Sequence, residues 1–322
     1  MFGLDGLIEG DYVYVSELGF MAVKGVSHPP GSVVAFPRLG RVARLDEVYA
    51  FIEERMRGCL VFDDHSGQVL PQIPVEKVER HLSSLEGYRR LQPRDSLTGL
   101  AIELGRALSK EGGATEESIG ISGSILLGAY RKDSDIDLVL VEPRGFSGVE
   151  AFRELRRRGI TSPVTPEYAH DLASKRRDSR LSLETWIKHE GRKSTYGVFK
   201  GVVYSAKIVQ RPEDFWEPWG TARWRELGYI TVRGRVEDES LGYYTPMKLK
   251  VTVEEVLEGG EEAYRCVEVV SYRSRFAEQV FAGEYFKACG RLEIDLKTRR
   301  YRLFVGNAPS DYIVSEENIG RI

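Results

Sequence analysis

Cysteine, methionine and histidine are all scarce in this chain of 322 residues, with three, four and five copies. Cys59, Cys266 and Cys289 are scattered, odd in number and form no Cys-x-x-Cys pair. That pattern argues against a zinc site and against a disulfide scaffold, and buried thiols in a reducing compartment are the expectation. No apolar run is long enough to span a bilayer, and the opening Met1-Phe2-Gly3-Leu4-Asp5 lacks a signal-peptide pattern. A cytoplasmic protein is therefore expected, with no membrane partner. Internal repeats and low-complexity tracts are also missing, which leaves an ordinary globular chain.

What is present fits that class. The composition is 42% hydrophobic and 30% charged, with a net charge of −3. The length predicts two or three domains with ample buried cores. Richness in Glu and Arg matches the ion-pair-laden composition of thermophilic proteins.

The densest chemistry lies between Ser118 and Val141. Ser118-Ile119-Gly120-Ile121-Ser122 reads as a short buried strand feeding a turn at Gly123. Glycine there lets the backbone approach a ligand, because no Cβ intervenes. Ser124 then opens a short apolar helix, Ile125 to Tyr130, and its hydroxyl and first-turn N–H groups suit a phosphate. A second strand, Ser134 to Val141, places Asp135 and Asp137 on one face and Ile136 and Leu138 on the other. Two such carboxylates can share hard cations such as Mg²⁺ or Mn²⁺, which keep substrate phosphates in their shell. A lone Asp-x-Asp is more often a solvated strand end; the joint pattern is far more restrictive.

At Gly123, Ser124, Gly128, Arg131, Ser134, Asp135 and Asp137 the chain resembles the DNA polymerase β superfamily of nucleotidyltransferases, and in particular its archaeal-type members. The resemblance implies metal-dependent transfer of a nucleoside monophosphate from a nucleoside triphosphate to a hydroxyl, with pyrophosphate leaving. It implies Asp135 and Asp137 as catalytic Mg²⁺ ligands, and Gly123, Ser124, Arg131 and Ser134 as phosphate contacts. Two departures stand out. Ile125 and Leu127 occupy positions where many relatives carry arginines, and the third acid used by the family on a later strand is hard to find. The strand expected over Gly201 to Val209 offers Ser205 and Lys207 instead, and a lysine repels metal but binds phosphate as a point charge. Glu184, Glu190 and Asp214 are the nearest acids that can fold in, although each also reads as an exposed carboxylate.

Three segments emerge, giving an α+β architecture. Residues 1–90 form an N-terminal β-rich module, with strands at Asp11–Val15, Phe20–Lys24 and Ser32–Phe36 and a helix Asp46–Arg57 capped by Asp46. His28, before two prolines, reads as a turn residue rather than a ligand. Residues 91–215 form the nucleotidyltransferase domain with its central mixed sheet; Asp95 caps a helix running to Lys110, and another helix spans Gly148–Arg158. Residues 216–322 read as successive strands, Gly228–Val236, Pro246–Glu254, Arg265–Ser271, Glu284–Ile294 and Tyr301–Val305, with Phe276–Phe281 as an intervening helix. That order suggests a small β-barrel, OB-like, in which Tyr272, Arg273, Arg275 and Phe276 can meet single-stranded nucleic acid.

Between residues 151 and 215 there are fourteen Lys and Arg against eight Asp and Glu, an excess concentrated at Arg156–Arg158, Lys175–Arg177 and Arg192–Lys193. Beside a metal site this reads as a track for triphosphate or RNA, and otherwise as solvated helix faces with ion pairs. Trp186 and Tyr196 lie among these charges and can stack on bases, but large aromatics at that spacing are more often core. Three functions remain open: a nucleotidyltransferase acting on an RNA end, a non-catalytic nucleic-acid-binding protein on a degenerate scaffold of that fold, and an antitoxin-like enzyme modifying another protein.

Overall fold

The computed structural model describes residues 6–38, 45–142, 148–175 and 181–319. They form an α+β protein that divides into two compact units. The first holds residues up to 63, then 68–163 and 194–219; the second holds 64–67, 164–193 and 220 onward.

The first unit contains two sheets. Strands β1 (Tyr12–Val15), β2 (Gly19–Val23), β3 (Ser32–Pro37), β4 (Leu60–Asp63), β5 (Gln68–Pro74) and β6 (Arg80–Leu82) join in the order β4-β5-β3-β2-β1-β6, all antiparallel. Val13, Val15, Met21, Val23, Val33 and Ile73 alternate onto its buried face, and helix α1 (Leu45–Arg55) adds Val48 and Ile52 to the same core. The β1–β3 meander matches the sequence expectation to within a residue or two. Helix α1 begins one residue earlier than expected, so Asp46 lies in its first turn instead of capping it. Strands β4 to β6 were not expected.

The second sheet is smaller and carries the motif. Helices α2 (Ser84–Arg89) and α3 (Ser96–Lys110) precede β7 (Ile119–Ile121) and the single turn α4 (Gly123–Leu126). Strand β8 (Ile136–Glu142), helix α5 (Gly148–Arg157) and strands β9 (Tyr196–Phe199) and β10 (Val202–Gln210) follow. The strand order is β7-β8-β10-β9, with β8 and β10 parallel and both outer pairs antiparallel. Every residue of β8 except Asp137 is buried, as a central strand covered on both faces requires. The hairpin β9–β10 turns at Lys200 and Gly201, whose φ values of 47° and 83° give the doubly left-handed turn that suits a twisted pair. Asp95 caps α3 as expected: its side chain accepts from Thr98 N–H at 2.9 Å, and Thr98 Oγ1 returns the contact to Asp95 N–H.

The N-terminal residues and this sheet share a core. Ile8 and Val26 pack with Val139, Val141, Val209 and Phe215. Gly10 lies so close to Val139 that any β-carbon there would collide with it.

The second unit contains α6 (Pro166–Lys175), α7 (Leu183–Arg192) and a six-stranded sheet: β11 (Trp224–Leu241), β12 (Met247–Glu258), β13 (Cys266–Ser271), β14 (Tyr285–Asp295), β15 (Tyr301–Phe304) and β16 (Tyr312–Ser315), with α8 (Glu316–Ile319) after it. Its order is β11-β12-β13-β15-β14-β16, and β11 also pairs with β14, so five strands close into a ring. Closure depends on the length of β11. It pairs with β14 over Trp224–Arg235 and with β12 over Thr231–Leu241, bending through several register shifts. Four of the five ring contacts are antiparallel, and β13–β15 is parallel.

The five expected strands are all present, and β16 is an addition. The expected helix Phe276–Phe281 is absent: a single 3₁₀ turn, Ser274–Phe276, stands there, and Phe276 is buried in the ring core. Trp186 from α7 joins that core, 6.0 Å from the Phe276 ring.

Candidate functional site

The turn after β7 is tied down on two sides. Ser122 N–H donates to Asp137 O at 2.8 Å, and Ser122 Oγ donates to Gly10 O at 2.6 Å. Gly123 follows with φ of 58°, a left-handed conformation that side chains resist. Helix α4 starts at Gly123, not at Ser124, and is only one turn long. Gly128, at φ 66°, ends it, with Gly128 N–H on Ile125 O and Ala129 N–H on Ser124 O. Tyr130 then donates to the carboxylate of Asp95 at 2.8 Å, which anchors the exit of the turn to the cap of α3.

The residues from Arg131 to Ser134 form a tight turn. Ser134 N–H donates to Arg131 O, and Ser134 Oγ accepts from Arg131 N–H at 2.9 Å. This turn delivers Asp135, which stands just before β8; Asp137 is the second residue of the strand. Asp135 therefore lies between that turn and β8, one residue outside the strand to which the sequence had assigned it.

Asp137 is the centre of the cluster. A β-carbon on Gly123 would overlap its Oδ2 and stand 2.7 Å from its Cγ. On the other side its Oδ1 accepts from Ser205 Oγ at 2.7 Å. Ser205 sits directly opposite Asp137 in the parallel pairing of β10 with β8. The structure thus brings Gly123, Asp137 and Ser205 together at the start of β8.

Lys207 lies two residues along β10 and so on the same face as Ser205. Its Nζ donates to Glu9 Oε1 at 2.8 Å. Lys24 Nζ reaches the same oxygen at 2.9 Å, and Gly25 N–H donates to Glu9 Oε2 at 2.9 Å. Burial by itself would raise the Glu9 pKa, but the two ammonium groups outweigh it and hold the carboxyl at about 2. For Lys207, burial pulls the pKa down, while Glu9 and the field of Asp137 lift it above its ordinary value. Both groups are charged at neutral pH.

Glu9 was missed in the sequence. Its signal is slight: one acid inside the apolar run Leu7-Ile8, followed by a glycine. Asp11 is similar. It is buried, accepts from Ser84 N–H and Oγ at 2.8 Å, and meets His81 Nε2 at 2.7 Å, which fixes the start of α2. His28 is indeed a structural residue: its Nε2 donates to Leu7 O at 3.2 Å and its Nδ1 accepts from Val34 N–H.

The acids considered as a third ligand are engaged elsewhere. Glu184 pairs with Lys188 at 2.9 Å and Glu190 with Lys193 at 3.2 Å, both within the second unit. Asp214 follows β10, which ends at Gln210 opposite Glu142. The five register steps from Ser205 to Gln210 span about 17 Å, so Asp214 lies beyond the wrong end of β8. Among the described residues no three of His, Cys, Asp and Glu gather as a metal cage. Carboxylates such as those of Asp135 and Asp137 are the oxygen donors a hard cation takes alongside phosphates and water.

The basic excess is largely neutralised. Arg157 and Arg158 pair with Glu154, and Arg158 also with Glu111. Arg156 donates to Tyr196 O at 3.1 Å, and Arg192 pairs with Glu284 at 2.5 Å. Lys193 is buried against Glu190 and Arg275 O. Arg176 and Arg177 lie outside the described residues. Trp186, Tyr196 and Phe276 are buried and do not offer faces for base stacking. Tyr272 stacks on Phe304, and Arg273 donates to Gly306 O at 3.1 Å.

Residues 102–178 match the family model described as a nucleotidyltransferase domain. The matched stretch runs from within α3 through the Gly123 turn, β8 and α5. An uncharacterized protein of Methanocaldococcus jannaschii is 26% identical to the chain, covering 92% of it and 94% of the relative. No solved structure matches the chain. The likeness to nucleotidyltransferases therefore rests on the segment that contains the Asp137 cluster. No helix among the described residues is long and apolar enough to cross a membrane.

Proposed function

We propose that the protein is a metal-dependent nucleotidyltransferase that moves a nucleoside monophosphate from a nucleoside triphosphate to a hydroxyl on an RNA end. The observation that carries this reading is the fit of Asp137 against Gly123, with Asp135 two residues earlier in the chain. In this reading the acceptor oxygen bonds to the α-phosphorus, the bond to the β-phosphate bridge breaks, and pyrophosphate leaves as the hydroxyl proton passes to water. Asp135 and Asp137 would hold Mg²⁺ or Mn²⁺, which would offset charge on the transferring phosphoryl group. Gly123 and Ser124 border the phosphates, and Arg131 and Ser134 close the adjoining turn. The likeness of residues 102–178 to nucleotidyltransferase domains supports the reaction class.

The acceptor rests on the second unit. We read its ring as a small OB-like barrel. Across β11 and β14, Arg233 faces Lys287 and Arg235 faces Tyr285 in register, and Tyr229 on the same strand is 44% exposed. Aromatic and cationic side chains alternating on one face suit a single strand of nucleic acid. A cytoplasmic location agrees with the free cysteines.

The test is label transfer. Each α-labelled nucleoside triphosphate is incubated with the protein, Mg²⁺ or Mn²⁺, and pooled RNA. Incorporation that disappears in Asp135→Ala/Asp137→Ala is expected. The competing reading, a nucleic-acid-binding protein on a retired scaffold, is favoured by Ser205 and Lys207 occupying the place of a third acid. RNA binding without transfer, unaffected by that double substitution, would establish it instead.

A further inference from the structure

Opposite the carboxylate of Asp137, on the neighbouring parallel strand, the chain places a hydroxyl and then an ammonium group. Ser205 Oγ donates to Asp137 Oδ1 at 2.7 Å, so that oxygen is already hydrogen-bonded. Lys207 follows on the same face of β10. Its position is not that of a loose surface lysine. It is held at 2.8 Å by a carboxylate from a distant part of the chain, Glu9, which is 2% exposed.

Charge counting decides what that arrangement favours. Glu9 carries one negative charge and is flanked by two lysines, Lys24 at 2.9 Å and Lys207 at 2.8 Å. Its other oxygen is taken by Gly25 N–H. Glu9 cannot serve as a third metal ligand, because its oxygens are occupied by these donors. The trio keeps one positive charge in excess, and Lys207 lies within electrostatic reach of Asp137. A second divalent cation beside Asp137 would meet that fixed positive charge, and among the described residues no third acid gathers with the pair. Two-metal sites clamp the attacking and leaving oxygens with ions roughly 3.5–4 Å apart, and both ions need anionic ligands between them. A lysine binds phosphate as a compact charge without needing any such ligand.

We infer that the site takes one divalent cation, on Asp135 and Asp137, and that Lys207, locked in place by Glu9, supplies fixed positive charge in the stead of a second. The inference rests on the nucleotidyltransferase reading above. It also gives the N-terminal segment a role at the site: Glu9 is a positioning residue acting through Lys207, while Gly10 O receives Ser122 Oγ at 2.6 Å and steadies the Gly123 turn.

Metal stoichiometry tests this without relying on turnover. Mn²⁺ is titrated into the full chain saturated with a triphosphate analogue carrying a methylene α–β bridge. Free Mn²⁺ is read by electron paramagnetic resonance, with an analogue-only blank subtracted. One Mn²⁺ per chain is expected for the native protein, and two for Ser205→Asp/Lys207→Gln, which supplies a carboxylate and removes the cation. If the double variant fails to fold by circular dichroism, Lys207→Gln alone takes its place. It keeps a donor to Glu9 and should show at least 10-fold tighter binding of a second, weak Mn²⁺. Two Mn²⁺ per native chain would overturn the inference while leaving the nucleotidyltransferase reading intact. An unchanged count and affinity in the folded variants would overturn the role of Lys207. Failure of the native chain to bind the analogue at all, with or without Mn²⁺, would remove the underlying reading and the inference with it.

Discussion

Gly123 and Asp137 are complementary: the carboxylate of Asp137 fills the space that any side chain at position 123 would need, and a β-carbon there would stand 2.7 Å from Asp137 Cγ. The Gly-Ser and Asp-x-Asp halves of the motif are thus one steric unit, joined also by Ser122 N–H on Asp137 O at 2.8 Å. Gly123→Ala should displace the carboxylate and place alanine at a φ of 58°. The backbone term costs about 1–2 kcal/mol. Misplacing a reacting group by ~1 Å costs on the order of 100-fold in rate. Gly128→Ala is the control: its φ is 66°, but open space surrounds its missing β-carbon. Gly128→Ala should lose only the backbone term in urea and keep label transfer, whereas Gly123→Ala should lose more stability and lose transfer as well. Equal transfer by the two would show that the steric fit is unimportant.

Glu9 predicts an acid limb in the stability profile. Its folded pKa of about 2 lies below the ordinary value of 4.5, because Lys207 and Lys24 overcome the effect of burial. The unfolded chain therefore binds more protons between those values, and stability is lost as pH falls from about 4.5 toward 2. At neutral pH the difference corresponds to about 3 kcal/mol in favour of the fold. Chemical denaturation of Glu9→Gln should show lower stability than the native chain at pH 7. The gap should shrink as pH falls through this window. A gap of constant size across the window would mean that Glu9 is not the titrating group.

Two imidazoles, His189 buried and His28 half-buried, predict a second limb at less acidic pH. Burial lowers the pKa of His28 and of His189 from 6.5 to about 4, against the opposing pull of the Leu7 and Thr185 carbonyls. His189 donates from Nδ1 to Thr185 O at 2.7 Å and accepts Ser315 N–H at Nε2, 3.0 Å away, so protonation breaks the second bond. With the folded pKa depressed, stability is complete above about pH 6.5 and falls as pH drops toward 4. For His189 the full loss is about 3 kcal/mol. Thermal melts of His189→Gln should be lower than native at pH 7.5 and converge with it near pH 4.5. Parallel melting curves across that range would exclude this assignment.

How much of this was legible in the sequence depended on the range of the interactions. The Asp95 cap of α3, the meander β1–β3 and the strands β7, β8 and β10 follow from local signals: a capping residue, alternation, and an apolar run bounded by glycine. Gly123, Asp135 and Asp137 were legible for the same reason, because the whole unit lies within fifteen residues. Glu9 was not. Its partner Lys207 is 198 positions away, and nothing in either neighbourhood announces the other. The expected helix Phe276–Phe281 failed because Phe276 is drawn into the ring core next to Trp186, leaving only a 3₁₀ turn. The basic clusters were legible as charge but not as ion pairs wherever the partner is distant, as with Glu111 for Arg158 and Glu284 for Arg192.

The ring's own anchor supplies the last prediction. Arg302 and Glu293 are each 1% exposed and meet at 2.8 Å, with the guanidinium 3.7 Å above the ring of Trp224. Glu293 also receives Arg291 Nη2 at 2.7 Å. Removing the acid leaves a buried guanidinium without its counter-charge, which typically costs about 3–5 kcal/mol. Replacing both members by apolar groups avoids that penalty and is often close to neutral. Glu293→Leu should therefore lower the urea midpoint sharply, read through tryptophan fluorescence. Adding Arg302→Met should recover most of the loss, since methionine fills the space against Trp224 without a charge to satisfy. A double variant as unstable as the single one would locate the stabilising contact in the Arg302–Trp224 stack instead of the ion pair. The two outcomes differ by several kcal/mol on the same figure, well beyond extrapolation error of roughly 10–15%.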